Sequence, residues 1–117
     1  MVNRRKQGSL GEDAAVRFLQ QKGLTIIQRN YRFERGEIDI VAEDNGELVF
    51  VEVKTRRSKL FGEPEDAVTP KKQKRIHAVA EGYYYEHNIE NKPCRFDVVA
   101  IDHTEGKIDI RYYKNAF

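Results

Sequence analysis

Four charged side chains fall on two short runs that could act together on a phosphate. Glu37 and Asp39 lie in Gly36-Glu37-Ile38-Asp39-Ile40-Val41, and Glu52 and Lys54 lie in Val49-Phe50-Val51-Glu52-Val53-Lys54. Both runs alternate apolar and polar residues, the pattern of half-buried strands. Asp44-Asn45-Gly46-Glu47 separates them, and Asn-Gly is a strong hairpin-turn signal. With Asn45 and Gly46 as the central turn residues, counting outward pairs Asp44 with Glu47, Val41 with Phe50, Asp39 with Glu52 and Glu37 with Lys54. Ile40 with Val51 and Ile38 with Val53 then point to the other face, so one face is expected to be apolar and the other to gather the charges. Directly opposed residues have Cβ atoms about 4.5–5.5 Å apart, and like charges there are destabilising. Asp39 against Glu52 therefore asks for a cation between them. Hard oxygen ligands beside a lysine suit Mg²⁺ or Mn²⁺ and phosphodiester chemistry. An ordinary amphipathic strand with a solvated polar face would also read Val-Glu-Val-Lys, and a bulge near the turn would break the counted register. The set separates the two readings: an acid opposite the glutamate, a lysine two residues on, and basic runs just after.

The elements that must position these residues can be read in turn. Residues 1–7 read as a loose basic lead-in to a single domain spanning 1–117. Ser9-Leu10-Gly11-Glu12 fits a capping box, with a helix to about Lys22 and Gly23 as its C-cap. Glu12, Ala15, Val16 and Leu19 share one helical face, so a carboxylate begins the inward stripe. Capping and a site role both account for it. A first strand is expected over Leu24–Phe33, the hairpin over 37–44 and 47–55, and a loop or short helical turn from Ser58 to Thr69. Thr69-Pro70 supplies an N-cap and an N1 proline for a second helix, with Ile76, Val79, Ala80, Tyr83 and His87 as its apolar stripe. Arg95–Asp102 and Lys107–Tyr113 read as two further strands about Thr104-Glu105-Gly106. The order α-β-β-β-α-β-β predicts an α/β fold, a mixed sheet of about five strands flanked by helices.

Net charge is only +2 across 117 residues, but the cations are grouped. They fall at Arg4-Arg5-Lys6, at Lys54, Arg56, Arg57 and Lys59, and at Lys71, Lys72, Lys74 and Arg75. The last group sits in the first turns of a helix, where the macrodipole opposes positive charge. Phosphate contact is one reason to accept that penalty, and a simple solvated basic face is the other account. Gln73 and Lys74 are expected to lean toward the sheet. Arg56 and Arg57 could hold nucleic-acid phosphates flanking the scissile one. His77, His87 and His103 show no ligand spacing. Asp97 in Arg95-Phe96-Asp97-Val98 reads as a buried partner for an arginine. Tyr83 is expected in the core, and packing is the default for Tyr112, Tyr113 and Phe117. The lone Cys94 excludes an intrachain disulfide and cysteine-based zinc sites. No apolar run approaches membrane-spanning length, and the basic N-terminus lacks a signal-peptide core, so a soluble, cytoplasmic protein is expected.

Glu12, Gly36-Glu37-Ile38-Asp39, Phe50-Val51-Glu52-Val53-Lys54-Thr55-Arg56, Arg95-Phe96-Asp97-Val98-Val99 and the terminal Asn115-Ala116-Phe117 together resemble the YraN-like family of small bacterial proteins. The likeness covers nearly the whole chain. It implies membership of the PD-(D/E)xK nuclease superfamily, with a restriction-endonuclease-like core similar to archaeal Holliday-junction resolvases. On that resemblance Asp39 matches the metal-binding aspartate, Glu52 and Lys54 the acid and lysine of the D/E-x-K element, and Glu12 the helical glutamate of resolvase-like members. Ile38 stands where the superfamily motif has proline. The implied activity is a Mg²⁺- or Mn²⁺-dependent endonuclease on structured or branched DNA in repair or recombination. Asp39, Glu52 and the Val53 carbonyl would hold the ion, Lys54 would orient water or meet developing charge, and Glu12 or Glu37 would reach a second ion. The alternative is a nucleic-acid-binding module of the same fold that does not cut, and a third class is an interaction protein with a solvated acidic hairpin. Cutting both strands would call for a homodimer, and no protein partner can be read.

Overall fold

The computed structural model describes residues 4–56, 68–104 and 106–117. Arg57 and the loop expected at 58–67 lie outside the described residues, as do the side chains of residues 4–10, Arg56 and Thr104. The elements are α1 (Arg4–Gln21), β1 (Thr25–Phe33), β2 (Gly36–Asp44), β3 (Glu47–Arg56), α2 (Pro70–Glu86), β4 (Cys94–Thr104) and β5 (Lys107–Tyr113). They make an α/β fold in which the five strands form one mixed sheet in the order β1-β2-β3-β4-β5. Every neighbouring pair is antiparallel except β3 and β4, which run parallel because α2 carries the chain between them.

Local chemistry sets most element ends. Asn45 and Gly46 both have positive φ, +49° and +84°, as a tight hairpin turn with right-handed strand twist requires. Asp44 therefore pairs with Glu47, Val41 with Phe50 and Ile40 with Val51, the counted register. Thr69 caps α2, its Oγ1 accepting from the Lys72 N–H at 3.2 Å, with Pro70 at the first helical position. Helix α1 begins at Arg4, so Ser9 lies within it and is not its cap. The residues before Ser9 include arginine, lysine and glutamine, which propagate a helix well. Gly23, at φ +95°, ends the turn after α1, where the Leu24 N–H donates to the Leu19 carbonyl at 3.0 Å.

Both faces of the sheet are covered, which corrects the expectation of one apolar and one charged face. Val41, Leu48 and Phe50 pack with Ile76, Val79, Ala80 and Tyr83 of α2. Ile40, Ala42, Val49 and Val51 pack with Ala15 and Leu19 of α1. Apolar residues thus occupy successive positions in the middle of β2 and β3, as strands buried on both sides must. The polar residues of these strands are displaced to their ends.

Candidate functional site

The hairpin ladder between β2 and β3 runs from the turn to Ile40 and Val51 and goes no further. Beyond that point the expected pairs Asp39–Glu52, Ile38–Val53 and Glu37–Lys54 do not form. The Asp39 carboxylate instead accepts from the Val53 N–H at 2.8 Å, so a side chain takes the donor that a ladder would have used. Strand β2 also turns over here: Ile38 joins the α2-side core and Ile40 the α1-side core, although they are two residues apart. On the other flank, Arg29 pairs with Ile40 and Tyr31 with Ile38, which brings Asn30, at φ +55°, abreast of Asp39. Asparagine tolerates this left-handed conformation better than most residues. Asp39 therefore sits where both adjoining ladders are irregular.

Glu52 lies on the α2 side of β3 and is 7% exposed. Two lysines converge on its Oε1. Lys72 Nζ of α2 is 2.9 Å away and Lys54 Nζ of β3 is 3.7 Å away. Glu37 departs from its expected partner and meets Arg32 across β1, at 3.7 Å. The reason is the lost ladder, which leaves Glu37 beside β1 and Lys54 beside its own Glu52.

Electrostatically the site is unbalanced. Burial, and then the neighbouring Glu52 charge, push the Asp39 carboxyl up to about 7, against the Val53 hydrogen bond that favours its ionised form. Burial pushes Lys54 down, and the Lys72 ammonium against it adds to this. Burial alone would pull Lys72 down too, but its contacts with Lys54 and Glu52 outweigh that and raise it.

Helix α1 brings Glu12 to the same end of the sheet. A Cβ on Gly11 would lie 2.5 Å from Thr55 Oγ1, so only glycine lets the helix approach β3 this closely. Glu12 lies on the inward stripe with Ala15 and Leu19, as its spacing implied. Its pKa is raised by burial, which Arg29 opposes. Glu12 Oε1 is buried without a hydrogen-bond partner and lies 3.6 Å from Arg29 Nη2. Arg29 reaches its hydrogen-bonded contact on Asp13 instead, at 2.7 Å.

The basic group on α2 divides. Lys72 and Gln73 are half-buried, whereas Lys71, Lys74 and Arg75 are exposed. It is Lys72, not Lys74, that leans to the sheet, because the inward face of α2 passes through Ile76, Val79, Ala80 and Tyr83. Gln73 turns back on the chain, its Nε2 donating to the Val68 carbonyl at 3.0 Å. Arg29 and Asn30 were not singled out as site residues. The only sequence signal for them is the polar run Gln28-Arg29-Asn30 interrupting the apolar residues of the first strand.

Among the described residues, no three His, Cys, Asp or Glu side chains form a ready-made metal-binding group. The donor set nonetheless suits a hard cation. It offers carboxylate oxygens, the Glu52 charge raises the cost of ionising Asp39, and Glu12 Oε1 is buried with no hydrogen bond, facing Arg29 at 3.6 Å. His77 stacks near Phe96 and Phe117, and His87 on Tyr83, so both pack as aromatics.

Comparison with known proteins finds relatives of similar length. A family profile described as "Uncharacterised protein family UPF0102" matches residues 11–101. The chain is 48% identical over 114 residues to a UPF0102 protein of Symbiobacterium thermophilum, covering 97% of each chain. It is 43% identical over 118 residues to a UPF0102 protein of Caldicellulosiruptor saccharolyticus, covering 99% of this chain and all of the relative. A UPF0102 protein of Clostridioides difficile is 42% identical over 116 residues, again 99% of this chain and all of the relative. No helix among the described residues is long and apolar enough to cross a membrane.

Proposed function

We propose that this chain, which belongs to the family UPF0102, is a divalent-cation-dependent nuclease with a restriction-endonuclease-like core, acting on structured or branched DNA. The observation that carries the reading is the meeting of Asp39, Glu52 and Lys54 where the β2–β3 ladder stops, with Lys72 seated on Glu52. An acid pair this costly at a strand end is easier to explain by a ligand than by stability. Asp39 and Glu52, with the Val53 carbonyl, would hold Mg²⁺ or Mn²⁺, and Glu12 would complete the set. A bound cation of this kind supplies positive charge at the scissile phosphate and a more acidic water. Lys54 would orient that water or face the negative charge that develops on the phosphate. The exposed Lys71, Lys74 and Arg75 would hold backbone phosphates, which position a nucleic acid without reading its sequence.

A second reading has its own support: the Lys72 ammonium already neutralises Glu52, and the described acids do not close into a cage. On that basis the chain would bind nucleic acid without cutting it. One experiment separates the two. Purified protein and its Asp39→Ala variant are incubated with labelled linear, flapped and four-way-junction DNA in Mg²⁺, Mn²⁺ or EDTA. Metal-dependent cutting that the variant loses is the expected outcome. Binding with no cutting in either metal would favour the second reading, and full activity in the variant would remove Asp39 from the site.

A further inference from the structure

Glu52 Oε1 is shared by two ammonium groups, and they come from different layers. Lys54 is fixed on the same strand, two residues along, whereas Lys72 reaches across from the third residue of α2. Two carboxylates and two ammonium groups thus share this end of the sheet, and Lys72 lies at salt-bridge distance on the carboxylate that a cation would need. Lys72 also lies in the same helical turns as the exposed cations Lys71, Lys74 and Arg75, and its own side chain is about one-third exposed, 34%. It alone of that group touches both the acidic site and the solvent-facing basic surface.

We infer that Lys72 is an internal stand-in cation that couples metal loading to phosphodiester binding. This rests on the metal-site reading above. A divalent ion and the Lys72 ammonium cannot both sit on one carboxylate oxygen without strong like-charge repulsion, so each weakens the other's hold. A phosphodiester entering along α2 offers Lys72 a second anion, draws it off Glu52 and leaves the oxygen to the metal. The metal and the nucleic acid therefore bind cooperatively, and the coupling is reciprocal. Lys72 is a positioning residue in this scheme. Its loss removes competition for Glu52 and a phosphate contact at once.

The test is Mn²⁺ affinity measured by calorimetry on the whole chain, with and without a non-cleavable phosphorothioate duplex. The proteins are wild type, Lys72→Met, Lys72→Arg, Lys71→Met and Asp39→Ala. Without DNA, Lys72→Met is expected to bind Mn²⁺ about tenfold more tightly than wild type, within the usual range of coupling between sites. Lys72→Arg keeps a cation and stays weak, and Lys71→Met, which removes an exposed charge next door, changes little. DNA tightens Mn²⁺ binding to wild type and does so much less for Lys72→Met. Equal affinities in wild type and Lys72→Met, with binding abolished by Asp39→Ala, overturn the coupling and leave the metal site standing. A gain in Lys71→Met as large as in Lys72→Met also overturns it, since bulk charge would then be the cause. Absence of Mn²⁺ binding in all five proteins, with or without DNA, overturns both the coupling and the metal site.

Discussion

Two buried acidic clusters lie toward opposite ends of β3, and they are wired differently. Toward the hairpin end, Asp97 is fully buried and its oxygens are surrounded by donors. Arg95 Nε donates to both oxygens at 3.1 Å, the Asn115 N–H at 2.9 Å, and the Tyr112 hydroxyl donates to Oδ2. Arg95 in turn reaches Asp44 and Glu47 at 3.0 Å each. Toward the other end, Asp39 has one backbone N–H and a row of like charges around it. The first arrangement satisfies every partner it buries and holds β3, β4 and the C-terminal residues together. The second gives the buried Asp39 a single hydrogen-bond donor beside the Glu52 charge, while both lysines fall on Glu52. Burial of a carboxylate is thus no sign of function by itself; the shortage of donors around Asp39 is what motivates the ligand proposed there.

The largest effect that would break this contrast is on stability. Asp97→Ala leaves the Arg95 Nε–H, the Tyr112 hydroxyl and the Asn115 N–H without their acceptor, and unfolding in urea should show a loss of about 3–5 kcal/mol. Asp39→Asn keeps an acceptor for the Val53 N–H and removes a repelled charge. At pH 8 it should leave stability unchanged or raise it by about 1 kcal/mol, while abolishing Mn²⁺ binding. Comparable losses in both variants would show that the two clusters are alike after all.

A pH series sharpens the same comparison with a somewhat smaller signal. The Asp39 carboxyl rises from an ordinary 3.8 to about 7 on folding. Between these values the folded state binds more protons than the unfolded one, so stability falls as pH rises through that window. Given the coupling to Glu52, the fall should be about 1–3 kcal/mol, and Asp39→Asn should flatten it. Mn²⁺ affinity should run the other way and tighten as pH rises through about 7, because the ligand must be ionised. A stability curve with the same slope in wild type and Asp39→Asn would assign the titration elsewhere.

The smallest effects belong to the exposed cations of α2. Lys74→Gln should change stability by no more than about 0.5 kcal/mol. If Lys74 contacts a phosphate, the logarithmic salt slope of DNA binding should drop by about 1. An unchanged slope would remove Lys74 from the interface.

Much of this was legible in the chain because it depends on near neighbours. The Asn45-Gly46 turn determined the upper register, Thr69 and Pro70 the start of α2, and the spacing of Ile76, Val79, Ala80 and Tyr83 its buried face. The Arg95–Asp97 pair, two residues apart on one strand face, was readable for the same reason. Counting outward from a turn assumes that the ladder continues, and here it ends at Ile40 and Val51. At that break the Asp39 carboxylate takes the Val53 N–H, fourteen positions later in the chain, and Asn30 of β1 lies on the other flank. Gly36 and Gly82 let α2 settle on the sheet, since a Cβ at either would fall 2.3 Å from a side-chain atom of Val79 or Phe33. Only that docking carries Lys72 to Glu52, twenty positions earlier in the chain. Residue types determined which side chains could carry charge, and alternation which stretches form strands. The tertiary structure decided which charges meet and how far water is excluded from them, because those depend on what covers each face.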